Sequence, residues 1–320
     1  MRVVRHPGEA GFEKKTVATV GTFDGVHRAH RQILERVVSR AREIGGRSLV
    51  VTFEPHPRTV VGPDPAAVRI LTTLAERTAE LEALGVDVLL VLQFDRTFSR
   101  QSPREFYVKY LVEGTGVSAV FEGFDHHWGR DRAGNVQQLR ALGEEFGFEV
   151  VALDPVSLDG RVVNSSTVRS DLMAGEVDAA ARLLGRPYTL AGRVIRGDQR
   201  GRRLGYPTAN LELEDPRKLL PRDGIYVVRA EVRNRSYGGM MSIGVRPTFH
   251  SNGTRTVEVH ILDFRDDIYG EVIRVAFLRR LRDELRFGSA EELIRRMQDD
   301  EKESRARLRE YETTLTNTVR

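Results

Sequence analysis

The sequence predicts two domains of different class: an α/β domain with a parallel sheet, then an antiparallel β-barrel that ends in a helix. Short apolar runs alternate with helical patterns in the first half, whereas the second half has turn-linked strands with almost no helix between them. With 320 residues the chain is long enough for two separate cores. A Gly-Arg-Pro break after a short helix places the predicted boundary between 1–185 and 186–320.

The first domain is predicted from five buried strands. They are Thr16–Val20, Ser48–Phe53, Asp87–Phe94, Val117–Phe121 and Phe148–Leu153. Between the first two strands, apolar residues from Ile33 to Ile44 repeat with helical spacing, and Gly45-Gly46 ends that helix. Strands joined by helices imply crossover connections and a mostly parallel sheet, whose ligands bind at the carboxyl ends of the strands.

The second domain is predicted to begin after a helix over Ala174–Leu184. Its strands are Gly192–Arg196, Ile225–Arg233, Gly239–Gly244, Val257–Phe264 and Glu271–Phe277. Asn252-Gly253 is a hairpin signal, and successive strands of this kind are typical of an antiparallel barrel. Ser289-Ala290-Glu291-Glu292 is a capping box that predicts a last helix to about Leu315.

Composition excludes several classes of protein. No apolar run approaches the roughly 20 residues that span a bilayer, so no membrane association is expected. The chain has no Cys and no apolar signal core at its start, which predicts a cytoplasmic protein without disulfides or thiolate metal sites. The net charge is only +4 and acidic residues are interspersed among the basic ones, which argues against a nucleic-acid-binding tail.

The segment Gly21–His30 follows the first predicted strand and carries two histidines. His27 and His30 are three residues apart, so both lie on one face at the start of a helix. Gly21 and Gly25 allow a tight turn and the close approach of a ligand, and a helix N-terminus attracts phosphate. In this context the pair indicates phosphate chemistry, although a His-x-x-His pair by itself is more often surface or metal chemistry.

A second candidate phosphate site is Asn164–Arg169, which places three hydroxyls and an Arg at a helix start. It is either a second anion cradle or an ordinary helix N-cap made by Ser165 or Ser166. Neither a Gly-x-Gly-x-x-Gly nor a Walker-type motif occurs, which disfavours a Walker-type nucleotide site.

In the second half, a Gly- and Arg-rich stretch over 192–205 precedes Tyr206-Pro207-Thr208-Ala209-Asn210. The stretch either wraps phosphates or is a flexible surface loop. Thr208 and Asn210 present hard oxygen ligands on one side of an extended segment, which suits Mg²⁺ bound to ATP. Glu258 lies in an alternating strand and is either a functional carboxylate or a solvent-facing residue.

Gly21–His30, with Thr52–Pro57 and Asn164–Arg169, resembles the nucleotidyltransferase signature of the prokaryotic bifunctional riboflavin kinase/FAD synthetase family. The resemblance implies a Rossmann-like domain in which His27 and His30 are catalytic. It also implies that ATP or FMN is bound by Gly21, Phe23, Asp24, His56, Asp125, Ser165, Ser166, Thr167 and Arg169. The chain departs from the usual pattern at Ala29, where Gly is common, and over Phe124–Gly129, which replaces an Asn-Phe-x-Phe-Gly segment.

The second half resembles the riboflavin kinase part of the same family. The matching segments are Gly192–Leu211, Pro221–Tyr226, Ser242–Phe249, Val257–Phe264 and Leu281–Phe287. The resemblance implies Mg²⁺ with ATP at Thr208 and Asn210, and Glu258 as the base. It also implies ATP or flavin contacts at Gly197, Arg200, Gly205 and Pro207. ATP, riboflavin and FMN are then the partners, and the flavins are substrate and product rather than prosthetic groups.

The two sets of residues fit two different reactions. A riboflavin hydroxyl is neutral, so a carboxylate that accepts its proton accelerates attack on the γ-phosphate. An FMN phosphate is already anionic, so its attack on an α-phosphate needs positive charge and hydrogen-bond donors instead. The first half supplies imidazoles, hydroxyls and Arg169, and the second half supplies Glu258.

Two other functions remain open at this point. The first domain could transfer a nucleotide to another acceptor, such as a phosphopantetheine or nicotinamide nucleotide, with the barrel as a specificity module. Alternatively, the barrel and the Arg-rich loop could bind RNA, although few aromatic residues stand in a stacking pattern. The sequence does not predict an oligomeric state.

Overall fold

The computed structural model describes residues 1–123, 136–197, 201, 204–245 and 255–318. By its internal contacts the chain divides into two compact units, Met1–Ser165 and Ser166–Arg320. The helices that follow Ser165 therefore group with the second unit, before the predicted boundary at 185.

The first unit is built on a six-stranded sheet. Its strands are β1 (Arg2–Val4), β2 (Thr16–Val20), β3 (Arg47–Glu54), β4 (Val88–Gln93), β5 (Val117–Gly123) and β6 (Glu149–Leu153). The spatial order is β1-β4-β3-β2-β5-β6, and every neighbouring pair is parallel. The predicted parallel sheet is confirmed, and the edge strand β1 is an addition to it. A short antiparallel ribbon, β7 (Ser157–Leu158) with β8 (Arg161–Val162), follows β6.

Helices cover both faces of this sheet. In the described part of the first unit the α-helices are α1 (Pro7–Ala10), α2 (Arg28–Glu43), α3 (Arg58–Val61), α4 (Leu74–Ala83), α5 (Pro103–Phe106), α6 (Glu113–Thr115) and α7 (Val136–Phe146), with a π-helical stretch over Tyr107–Val112 between α5 and α6. Leu49 and Val51 of β3 pack into one core cluster and Val50 into another, as expected for a strand that is buried on both sides. Helix α2 buries Leu34, Val37, Val38 and Ala41, which lie on its predicted apolar face.

The strand order creates a crevice beside β2. From β2 the chain adds β3 and β4 on one side of the sheet, and β5 and β6 on the other. Ligands of open α/β sheets bind at such a switch point, beyond the carboxyl ends of the strands. The loop from Gly21 to His27 leaves β2 at this point.

The second unit is a closed antiparallel barrel. Its strands are β9 (Thr189–Ile195), β10 (Ala209–Leu213), β11 (Gly224–Val232), β12 (Arg235–Val245), β13 (Arg255–Ile261) and β14 (Val272–Arg282). They close in the order β10-β13-β12-β11-β14-β9. The barrel is confirmed, with β10 as a strand that the hydrophobic pattern does not predict. The predicted hairpin at Asn252-Gly253 lies outside the described residues.

Among the residues that the structure describes, the helices α8 (Ser165–Ala174), α9 (Val177–Leu184) and α10 (Ala290–Thr318) accompany the barrel. The helix predicted over Ala174–Leu184 is confirmed as α9, which begins later, at Val177, because Gly175 takes the left-handed backbone conformation (φ 87°) and separates α8 from α9. Helix α10 begins after Ser289, whose hydroxyl accepts the Glu292 N–H at 3.2 Å. The helix packs onto the barrel through Leu308, which fills the space where a side chain at Gly238 would stand.

Candidate active sites

The loop that leaves β2 is held in a strained shape. Phe23 and Val26 have positive φ angles of 47° and 42°, a region that a β-branched residue such as Val rarely adopts. Arg77 of α4, which is 2% exposed, donates to the Thr22 carbonyl oxygen at 2.6 Å and to the Thr52 hydroxyl at 2.8 Å. Such strain persists where the surrounding structure enforces it, which is common in ligand-binding loops.

Asp24 fastens the same loop from inside the protein. The residue is 1% exposed, and its Oδ1 accepts the backbone N–H groups of Leu71 and Thr72 at 2.8 and 2.9 Å. Among the described residues that line the neighbouring cavity, Phe23 and His27 are present and Asp24 is not. The buried carboxylate therefore shapes the loop, a role that its position in the motif did not indicate.

Replacement of Asp24 by Ala is expected to lower the free energy of unfolding by about 3 kcal/mol, because it removes the charged acceptor of two buried amide hydrogen bonds. Urea unfolding of the purified variant measures this change. Asp24→Asn is the matched control, since its amide oxygen still accepts both bonds and should keep most of the stability. An Ala variant as stable as the wild type would contradict the structural role.

His27 and His30 form a stacked pair at the start of α2. His27 is the N-cap residue of the helix, and its Nδ1 accepts the His30 N–H at 3.3 Å, which leaves the ring proton on Nε2. The ring centroids are 3.6 Å apart with planes inclined by 17°, and the Phe23 ring meets His30 edge-on at 5.1 Å. The predicted pair is thus brought together at a helix N-terminus, where phosphate is attracted.

Both histidines open into a cavity of about 250 Å³ at the switch point of the sheet. Its lining comes from the end of β2 and the loop after it, from α2, from Gly123 at the end of β5, from Leu153–Val156, and from Val162–Ser165. Ala29, where the resemblance leads one to expect Gly, also lines the cavity. Ser165 closes one side and donates through its hydroxyl to the Asp24 carbonyl oxygen at 2.9 Å.

Other predicted residues of this site are placed differently. His56 is 5% exposed, its Nδ1 accepts the Arg58 N–H at 3.2 Å, and it is not among the described residues that line the cavity. Ser166, Thr167 and Arg169 lie in the first two turns of α8. Asp125 lies outside the described residues.

In the barrel, the strand register brings three predicted residues together. Asn210 of β10 is directly opposite Glu258 of β13, so their side chains lie on the same face. Thr208, two residues before Asn210, donates through its hydroxyl to Glu258 Oε2 at 3.0 Å. All three are partly buried. The Thr208 hydroxyl, the Asn210 amide and the Glu258 carboxylate thus form one cluster of hard oxygen atoms.

Two aromatic residues that the sequence reasoning missed support this cluster. His260 follows Glu258 by two residues, and its Nδ1–H donates to the Pro207 carbonyl oxygen at 2.8 Å. The Tyr206 ring packs edge-on against the His260 ring, with centroids 5.2 Å apart. In the sequence, Tyr206 stands in a Gly-Tyr-Pro-Thr string and His260 in the alternating pattern of β13. Neither pattern indicates which residue the side chain contacts.

The two described glycines predicted for this site differ in why the position requires glycine, one for lack of space and one for its backbone conformation. A Cβ atom at Gly197 would lie 2.3 Å from the Asn210 Nδ2 atom, so any side chain there would displace that amide. Gly205 has a φ of 85°, in the left-handed region, immediately before Tyr206. Arg200 lies outside the described residues.

A cavity of about 390 Å³ adjoins the cluster. Its lining residues are Val194, Pro207, Thr208, Ala209, Val259, Ile261 and the segment from Phe264 to Tyr269. The guanidinium of Arg196 lies over the Tyr269 ring at 5.6 Å from its centroid. Pro207 and Thr208 therefore belong to both the oxygen cluster and the wall of the cavity.

Family models match both parts of the chain. The model described as FAD synthetase matches residues 10–167, and the one described as riboflavin kinase matches residues 184–308. A bifunctional riboflavin kinase/FMN adenylyltransferase of Pseudomonas fluorescens is 44% identical over 277 residues, covering 87% of this chain and 88% of the relative. The protein of the same description from Bacillus subtilis is 34% identical over 306 residues, covering 94% and 96%.

A solved structure has the same fold over nearly the whole chain. It is a crystal structure described as a macrolide-efflux protein from Streptococcus pneumoniae, 32% identical, with a TM-score of 0.86 and coverage of 95% of this chain and 98% of that one. In the part of this chain that the structure describes, no helix has the length and apolar character needed to cross a membrane. The family models and the curated relatives both favour the flavin enzyme over the two alternatives left open above, a nucleotidyltransferase for another acceptor and an RNA-binding protein.

Proposed function

Since the chain belongs to the bifunctional riboflavin kinase/FMN adenylyltransferase family and carries both activities, we propose that its two sites divide the reactions between them. The barrel phosphorylates riboflavin with ATP, and the α/β domain adenylylates FMN with a second ATP. The proposed domains are 1–185 and 186–320, which the matched ranges 10–167 and 184–308 support.

In the barrel, Glu258 is the proposed general base. The terminal ribityl hydroxyl of riboflavin attacks the γ-phosphorus of ATP, the new O–P bond forms as the bond to the β-phosphate oxygen breaks, and ADP leaves. Glu258 accepts the hydroxyl proton, and the 3.0 Å bond from the Thr208 hydroxyl orients its carboxylate. This assignment depends on the contact between Thr208 and Glu258, which the strand register permits by placing Asn210 opposite Glu258.

Enzymes of this kind use ATP with a divalent cation, and we assign Mg²⁺ to Thr208 and Asn210. The hydroxyl and amide oxygens of these residues are hard ligands that suit Mg²⁺, which retains most of its waters. When bound, the ion neutralises charge on the ATP phosphates. The adjoining cavity, which Pro207 and Thr208 line, is the proposed place for the rest of the nucleotide, with Gly197, Arg200 and Gly205 around the phosphates.

In the α/β domain, the proposed catalytic residues are His27 and His30. A phosphate oxygen of FMN attacks the α-phosphorus of ATP, and the bond to the β-phosphate breaks to release pyrophosphate. The two imidazoles, held at the N-terminus of α2, stabilise the negative charge that develops there. Gly21, Phe23 and Ser165 line the site, and we keep His56, Asp125, Ser166, Thr167 and Arg169 as proposed ligand contacts. Asp24 supports the loop through its buried carboxylate.

The test of this division uses the purified chain with riboflavin, ATP and Mg²⁺, and separates FMN, FAD, ADP and pyrophosphate over time. FMN with ADP should form first, and FAD with pyrophosphate should follow. A cytoplasmic location and the absence of a nucleic-acid partner stay predictions from the sequence.

Chelation of divalent cations with EDTA is expected to abolish FMN formation, because Thr208 and Asn210 alone leave the charge of the ATP phosphates uncompensated. Excess Mg²⁺ should restore the rate, and the appearance of FMN from riboflavin measures it. Full FMN formation in EDTA would contradict the assignment. A parallel sample with EDTA already saturated by Mg²⁺ controls for effects of the chelator itself.

A further inference from the structure

Helix α10 contacts the segment that carries the proposed Mg²⁺ ligands. The Tyr206 hydroxyl donates to Glu301 Oε2 of this helix at 3.1 Å, and Tyr206 is 8% exposed. Burial and the bond to Glu301 raise the pKa of the Tyr206 hydroxyl, so it stays a donor at neutral pH. The Tyr206 ring packs against the His260 ring, and His260 donates to the Pro207 carbonyl oxygen, so the helix is linked to Pro207 through these two residues.

The same helix also contacts the residue that precedes a second part of the cavity wall. Arg305 donates to both carboxylate oxygens of Asp263, each at 2.8 Å, and its Nε donates to Glu301 Oε1 at 2.9 Å. The Arg305 guanidinium keeps the pKa of Asp263 below its usual range. Asp263 has a left-handed backbone (φ 58°) and immediately precedes the segment from Phe264 to Tyr269 that lines the cavity.

These contacts form a continuous chain of hydrogen bonds between two parts of the cavity wall. Tyr206, Glu301, Arg305 and Asp263, here called the helix bridge, link the Pro207–Thr208 wall to the Phe264–Tyr269 wall. A bidentate Arg–carboxylate pair fixes both distance and orientation, which a single ion pair does not. The bridge therefore links the two segments that precede these walls, and Arg233 holds the second wall independently by donating to Asp266 at 3.3 Å and to the Asp267 carbonyl oxygen at 3.0 Å.

Attachment of α10 to the barrel does not depend on the bridge. Asp300, which is 3% exposed, accepts from Arg282 of β14 through Nε at 3.0 Å and through Nη2 at 2.5 Å. Leu308 is buried beside Gly238. Because these contacts remain when Arg305 is replaced, loss of the bridge should alter the cavity without releasing the helix.

We propose that Glu301 and Arg305 are positioning residues for the kinase reaction, which hold the two walls of the nucleotide cavity at the spacing that ATP requires. The inference rests on the proposed assignment of the kinase to the barrel. Neither residue is placed in contact with the reacting atoms. Their effect passes through Tyr206 to the Thr208 segment and through Asp263 to the loop that ends at Tyr269.

Arg305→Met is expected to lower kcat/KM of FMN formation about tenfold, mostly through a higher KM for ATP, since a misplaced wall weakens ATP binding before and during reaction. FAD formation from supplied FMN, measured on the same sample, should stay within about twofold of the wild type because that site is in the other domain. Arg305→Lys should recover only part of the loss, because an ammonium group lacks the bidentate fork.

Arg307→Met is the matched control. Arg307 also lies on α10 and pairs with Glu310 at 3.1 Å, but it belongs to no contact with the cavity walls in the described part of the chain. Its kinase KM for ATP should equal that of the wild type. A double-mutant cycle with Tyr206→Phe and Glu301→Ala gives a second test, in which the double variant should lose little more than either single one.

The outcomes separate the inference from the function on which it rests. If the wild type makes FMN and folded Arg305→Met has an unchanged KM for ATP, the positioning role is wrong. If FMN and FAD formation fall in equal proportion, the residue acts on overall folding and the positioning role is also wrong. If the wild type makes no FMN, the kinase assignment fails and the inference fails with it.

Discussion

Glu258→Gln is expected to reduce FMN formation by a factor of about 10²–10⁴ while FAD formation from supplied FMN continues at the wild-type rate. The amide is nearly the same size as the carboxylate, and its oxygen can still accept the Thr208 hydroxyl that now lies 3.0 Å away. What it cannot do is accept the proton of the riboflavin hydroxyl. Product separation after incubation with riboflavin, or with FMN, measures the two rates in one preparation.

The companion variant Glu258→Asp distinguishes a lost base from a disturbed site. It keeps a carboxylate but withdraws it by one methylene group, so activity should fall less than in Glu258→Gln. Because Asn210 faces Glu258 across the strand pair, a disturbed site would raise the requirement for Mg²⁺ in both variants. FMN formation by Glu258→Gln within a few fold of the wild type would exclude the carboxylate as the base.

The limits of the strands predicted in the first domain follow from the hydrophobic pattern to within two residues, because a buried parallel strand is a continuous apolar run. In the antiparallel barrel the limits are less well predicted, and β14 continues to Arg282 where the pattern ends at Phe277. The strands that the pattern does not predict lack such a run. Strand β1 has only three residues at the edge of the sheet, and two of them are exposed. Strand β10 alternates buried Leu211 with Asn210 and Glu212, directly after a Gly- and Arg-rich stretch typical of a loop.

The site could be predicted in part, for a similar physical reason. Thr208, Asn210 and Glu258 are recognisable because their residue types suit a cation and a base, and the strand register then brings them together. Glu301 is 95 residues from Tyr206 in sequence, and no local pattern predicts that pairing. The sequence motif also does not distinguish a buried Asp that accepts backbone hydrogen bonds, such as Asp24, from an Asp that faces a ligand.

The adenylyltransferase half has a corresponding prediction. His30→Ala is expected to lower FAD formation from FMN by a factor of about 10²–10³, because it removes one donor from the place where negative charge develops. FMN formation from riboflavin should not change. His30 stacks on His27 and contacts Phe23, so the substitution leaves a gap beside the cavity but no broken helix cap.

His27 requires a different substitution because it has two roles. As the N-cap of α2 it accepts the His30 N–H, and a change to Ala would cost about 1 kcal/mol of stability in addition to the imidazole. His27→Asn keeps a capping acceptor and removes only the ring, so its loss of FAD formation reports on catalysis. His6→Asn is the matched control, since His6 caps α1 in the same way and does not line the cavity in the described part of the chain.

Three results would decide the role of the pair. Loss of FAD formation in His30→Ala and His27→Asn, with His6→Asn unchanged, supports charge stabilisation at the start of α2. If both variants form FAD at more than about a third of the wild-type rate, the loss is too small for an electrostatic role of this kind, and the proposed role of the pair is wrong. Loss of both reactions in a folded variant would mean that the two domains do not divide the chemistry, since riboflavin phosphorylation uses none of these histidines in the proposed scheme.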